Sequence, residues 1–193
     1  MKILKSACLI FLLCAAAYAQ TEDLGMGAFA NEHGEILVAV DASLVDFQIH
    51  SPYVMFVMYM AAKNQRQDIV VSRDTVVMVY QGNEYKMPSL KELRENYKGE
   101  IHDISFYRHL GKEGIDSSWI RFYNFARGVD FFPPLSLRST ALAVDEGSMY
   151  GFTGFRTKAY FKNPGFKKGD KVTFKVWDRK DPQLSGEVSV VID

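Results

Sequence analysis

Cysteine is scarce in this chain, and where it stands matters more than its number. The only two cysteines of the 193 residues are Cys8 and Cys14, both within the first nineteen positions. Those positions read as a secretory signal. Lys2 and Lys5 form a positive head, Ala7 to Ala17 an apolar run, and Ala17-Tyr18-Ala19 a small-x-small cleavage pattern. The run is too short to span a bilayer, so a removable leader is expected and no membrane anchor. Cleavage after Ala19 predicts a secreted or periplasmic mature chain, residues 20–193, without a thiol. That excludes disulfides, cysteine nucleophiles and thiolate metal sites from the mature chain. Lipidation is not expected either: bulky Leu12-Leu13 precedes Cys14, and no apolar run precedes Cys8. No Asn-x-Ser/Thr sequon occurs, which fits a bacterial exported protein, and export disfavours nucleic acid as a partner.

Recognisable catalytic patterns are also missing. There is no Gly-x-Ser-x-Gly, since Glu146-Gly147-Ser148-Met149 fails at the first glycine. Gly147, Gly151 and Gly154 lack the spacing of a phosphate loop and read as bulges or tight turns. His102 and His109 sit too far apart on a helix, and on opposite faces of a strand, to share one metal ion. His109 and Glu113 have helical spacing, but Gly111 and Gly114 argue against a helix there. His102 and His109 therefore read as surface residues, and His33 and His50 complete the set of four. Convergent carboxylates, such as Asp41 with Asp46 or Asp145 with Glu146, leave an acid-dependent hydrolase as one alternative. No cofactor and no metal is expected.

What the chain does have is β-type patterning. Lys171 to Trp177 alternates polar and apolar residues, turning Val172, Phe174 and Val176 inward, and Glu187 to Ile192 repeats the pattern. The turn-rich stretch between them makes a hairpin. Phe155 to Phe161, Glu35 to Asp41, Leu44 to His50, Ile69 to Ser72, Thr75 to Tyr80, Tyr85 to Met87 and Trp119 to Phe125 are further expected strands. Tyr53 to Ala62 is apolar at both parities, as in a central strand covered on both faces. One helix stands out: Ser89 with Glu92 forms a capping box, Leu90, Leu93 and Tyr97 share a face, and Gly99 supplies the stop. Ile101 to Leu110 fits either state. The expected fold is mainly all-β, a single β-sandwich domain over residues 20–193 with one short inserted helix. The layout, with Gly169-Asp170-Lys171-Val172-Thr173 leading into a late strand, resembles the immunoglobulin-like sandwiches common in exported bacterial proteins.

Charge and aromatics supply the candidate binding residues. The whole chain balances 23 basic against 23 acidic residues, yet Gln20 to Ala62 contains no Lys or Arg. Arg156 to Lys180, by contrast, is strongly basic. Arg156, Lys158, Tyr160 and Lys162 share one strand parity, and Lys171, Lys175 and Trp177 share another. If those strands were neighbours they would make one positive face for an anionic glycan, a lipid headgroup or an acidic protein. The plainer reading is a solvated lysine set guarding strand edges. Trp119, Arg121 and Tyr123 would share a strand face suited to stacking on a sugar, and together with Trp177 suggest a carbohydrate-binding module. The leading expectation is an exported, non-enzymatic protein that binds or scaffolds a partner.

Overall fold

Short β-type runs build two larger sheets and a two-stranded one, and the apolar run Tyr53–Ala62 lies inside the largest. The computed structural model describes residues 21–64, 68–110, 115, 117–133 and 142–192, with backbone only at 100–101, 108–110 and 126–127. In chain order the strands are β1 (Glu22–Gly25), β2 (Ala28–Asn31), β3 (Ile36–Asp41), β4 (Tyr53–Ala62), β5 (Ile69–Ser72) and β6 (Val76–Tyr80). They continue as β7 (Asn83–Lys86), β8 (Asn124–Gly128), β9 (Glu146–Met149), β10 (Thr153–Lys162), β11 (Lys171–Trp177) and β12 (Ser185–Val191). Among the described residues three named helices interrupt them: α1 (Val45–Gln48), α2 (Leu90–Asn96) and α3 (Glu100–Leu110). The fold is mostly β.

A six-stranded sheet runs β1-β2-β3-β4-β10-β8, a four-stranded sheet β12-β11-β6-β7, and β5 pairs with β9. In the large sheet β10 is antiparallel to β4 and parallel to β8. The two larger sheets meet through aromatic side chains: Phe174 of β11 lies 4.7 Å from Phe56 of β4 and 5.6 Å from Phe161 of β10. Gly154 and Gly186 mark two close approaches. A Cβ on Gly154 would stand 2.0 Å from the Met60 carbonyl, and one on Gly186 2.1 Å from the Ile36 carbonyl, so only glycine fits. At Gly186, the last strand is brought against β3.

Local hydrogen bonding overrides two of the expected strands. Leu44 to His50 contains α1 instead. Asp41 Oδ1 accepts from Ser43 N at 3.0 Å and Ser43 Oγ at 2.6 Å, and this turn leads the chain into helix. Trp119 to Phe122 forms a 3₁₀ turn, in which Arg121 N donates to Ser118 O and Tyr123 N to Ile120 O. Ile120 is buried and Arg121 and Phe122 are exposed, so Trp119, Arg121 and Tyr123 do not share a strand face. The inserted helix is not alone either. α2 begins at the expected cap, Ser89 Oγ accepting from Glu92 N at 3.1 Å, but among the described residues α3 is the longest helix and resolves Ile101 to Leu110 as helical.

Candidate functional site

Helix α3 lies on the outer face of the six-stranded sheet, held by reciprocal acid–phenol pairs. The helix presents Asp103 and Tyr107, one turn apart, and the sheet answers with a phenol and an acid. Tyr107 donates to Asp41 Oδ2 of β3 at 2.8 Å. Asp103 Oδ2 accepts from Tyr97 at 2.6 Å, and Tyr160 of β10 donates to the same oxygen at 3.4 Å. All five side chains are buried. Burial pushes the Asp103 carboxyl above its usual range, against the lowering effect of Tyr97, Gln48, His102 and Tyr160. Burial, with Asp103 beside it, raises the Tyr97 phenol, and burial with Asp41 raises that of Tyr107.

Beside this clamp opens a cleft of about 380 Å³ between α3, β4, β10 and the end of β8. Its floor is apolar or aromatic: Met55, Val57 and Tyr59 from β4, with Ile104 and Tyr107 from the helix. Arg156 and Lys158 line it from β10, and Asp130 is its one acid among the described lining residues. The register explains the placement, because Arg156 pairs with Tyr59 and Lys158 with Val57, putting all four on the outer face. Arg156 is exposed, and no ion pair engages it among the described residues.

The other candidate residues are dispersed. Tyr160 shares the outer parity with Arg156 and Lys158, but it is fully buried beneath α2 and α3, against Tyr97 and Phe132, and is not a surface residue. Lys162 is exposed at the far end of β10, opposite Tyr53. Lys171, Lys175 and Trp177 stand on the other sheet, because β10 pairs with β4 and β8 while β11 pairs with β6 and β12. The expected single basic face is therefore two. On the second, Lys171 and Lys175 line a broad groove of about 1060 Å³ together with Glu187 and Asp23. Lys175 lies directly across from Glu187, which offsets its charge.

Trp119 and Tyr123 do come together, 6.3 Å apart between ring centroids, although no strand carries both. Trp119 Nε1 donates to Glu22 Oε2 at 2.7 Å. Tyr123 is half-buried, and burial together with the neighbouring Glu32 carboxylate raises its phenol. Arg121 is exposed, with its guanidinium over the Phe122 ring at 5.3 Å. Phe152, which sequence reasoning missed, packs on Tyr123 at 5.8 Å and is 44% exposed. It stands in a two-residue turn from β9 to β10 with Gly151, both at positive φ (50° and 63°). Positive φ is a costly conformation for a bulky aromatic.

The carboxylate pairs weighed for hydrolysis have other employment. Asp41 is committed to Tyr107 and Ser43, while Asp46 is exposed on α1. Asp145 is ion-paired with Arg73 at 2.5 Å and Glu146 with Arg179, in a polar cleft of about 630 Å³ at the start of β9. Of the histidines, His33, His50 and His102 are exposed, and His102 stacks on Phe106. The side chain of His109, and Glu113 altogether, lie outside the described residues. Among the described residues no three His, Cys, Asp or Glu side chains are grouped to hold a metal ion. Comparisons with family models, with curated proteins and with solved structures find no match for this chain.

Proposed function

We propose that this is an exported, non-enzymatic β-sandwich protein, immunoglobulin-like in layout, that binds an anionic ligand in the cleft beside α3. The observation that carries the binding reading is the placement of Arg156 and Lys158 over an apolar, tyrosine-lined floor. Such a cleft suits a ligand with a negative group and a less polar body, because cations beside low-dielectric walls concentrate the field acting on an anion. Two buried acids hold the helix that walls the cleft. Asp41 and Asp103 spend their oxygens on phenols and on Ser43, and so serve to hold α3. Face-to-face packing of two largely antiparallel sheets supports the immunoglobulin-like layout, and Lys2 to Ala19 supports export.

The test compares the two basic clusters. Anionic and neutral ligands are titrated calorimetrically into the parent, into Arg156→Ala/Lys158→Ala, and into Lys171→Ala/Lys175→Ala. Anion binding should vanish in the first variant and persist in the second, and it should weaken as salt rises. Equal loss in both variants would remove the cleft as the site.

A further inference from the structure

The cleft continues into a track of aromatic rings along the outer face of the large sheet. Tyr59, at its floor, meets Phe125 of β8 at 5.3 Å between ring centroids. Phe125 stacks on Tyr123 at 6.2 Å with planes 29° apart, and Tyr123 meets both Trp119 and Phe152. Phe125, Tyr123 and Trp119 are each half-exposed, and Phe152 is more so. From this we infer that the ligand of the cleft is an acidic oligosaccharide, its acid group beside Arg156 and Lys158 and its following rings stacked along Phe125, Tyr123, Phe152 and Trp119. The inference rests on the anion-binding reading of the cleft and names the class of ligand.

Three features support a saccharide over other anions. Sugar rings offer flat C–H faces to aromatic planes, and the half-exposed Phe125 and Tyr123 rings lie nearly parallel, 29° apart, with Trp119 and Phe152 set edge-on beside Tyr123. Hydrogen-bond acceptors stand at the far end: Glu22, which takes the Trp119 N–H, and Glu32 beside Tyr123 have further oxygen lone pairs for sugar hydroxyls. Those same carboxylates repel a negative group there, which sets the direction of the chain, acid unit at the cleft and neutral units toward Trp119. A lipid surface would meet these two acids unfavourably. Finally, Phe152 holds its exposed ring out from a backbone conformation that glycine would adopt at lower cost, and strain retained at an exposed residue points to use.

The test uses the Trp177→Phe variant of the full chain, which leaves Trp119 as the only tryptophan and therefore the fluorescent reporter. Its probes are galacturonate, tetragalacturonate, a neutral galactose tetrasaccharide and vesicles of phosphatidylglycerol. Tetragalacturonate should bind at least tenfold more tightly than the monomer and shift Trp119 emission. Phe152→Gly should reduce tetramer affinity about tenfold, leave monomer affinity unchanged, and raise the unfolding midpoint by relieving the backbone. Arg156→Ala/Lys158→Ala should remove binding of both uronates. If Phe152→Gly lowers stability and leaves tetramer affinity intact, the ring is structural and the saccharide track is refuted. Equal affinity for monomer and tetramer, or binding to vesicles alone, also overturns the inference while leaving the anion site standing. Equal binding of neutral and acidic tetramers, unaffected by Arg156→Ala/Lys158→Ala, overturns the anion-binding reading itself. Binding to none of the probes overturns the inference.

Discussion

Asp103 carries an acid into a place where, among the described residues, its close partners are hydroxyl and amide groups and the exposed histidine just before it. Its folded-state pKa is raised by burial, so in that state the carboxyl holds its proton to higher pH than in the unfolded chain. Stability should therefore increase as pH falls from neutrality through the raised value, and stop increasing near the unfolded pKa of about 3.9. Asp103→Asn should abolish that rise, measured by urea unfolding across pH 4 to 8. Asp178 acts in the opposite sense. Burial works to raise it, but the backbone N–H groups of Val70, Lys180 and Asp181 outweigh burial and hold it low. Asp170, held low chiefly by the Tyr80 hydroxyl, behaves likewise. These two contribute stability above the unfolded pKa that disappears as pH drops below it, so the acid limb of the profile belongs to them. At the other pair of the clamp, Tyr107→Phe leaves Asp41 Oδ2 without the phenol and should cost about 1–3 kcal/mol.

Among the elements, α2 offers the cleanest local test. Ser89→Ala removes the side-chain acceptor for Glu92 N and should cost about 1 kcal/mol, read from denaturant midpoints. That helix was legible because its signals are local: a cap, an apolar face and a following glycine. β11 and β12 were legible because one face of each is solvated, so Val172, Phe174 and Val176 alternate with exposed or half-buried neighbours. α3 was not, because the side chains it buries against the sheet include the polar pair Asp103 and Tyr107, which leaves little apolar period to read. α1 and the turn at Trp119 depart from the expected strands because the bonds that Ser43 donates to Asp41, and i to i+3 backbone bonds after Ser118, override a weak β-type alternation. The same distinction applies to the site. Arg156, Lys158 and Tyr160 share one parity as expected, but parity does not reveal that of the three only Tyr160 is fully buried. Nor does it say which strands pair, and that pairing is what separates Lys171 and Lys175 from Arg156.

At the scale of the molecule, intact-mass analysis of exported protein should find a chain beginning at Gln20, and retention of Cys14 with added acyl mass would contradict both cleavage after Ala19 and the thiol-free chain. No helix among the described residues is long and apolar enough to cross a membrane. Circular dichroism should be β-dominated, with its helical component coming mainly from α3. The close approach at Gly186 has a kinetic meaning as well. Ser185 O accepts from Glu35 N at 2.9 Å, and Ser189 N donates to Thr21 Oγ1 at 2.9 Å, so the last strand completes its bonds with segments from the beginning of the described chain. Contacts so distant in sequence require long loops to close before they yield stability, which places such topologies among slow folders, on the order of milliseconds to seconds. A chain emerging during synthesis cannot finish its core until Ser185 to Val191 has been made. Stopped-flow refolding of the mature chain should show that slow phase, and a chain ending before Ser185 should fail to fold.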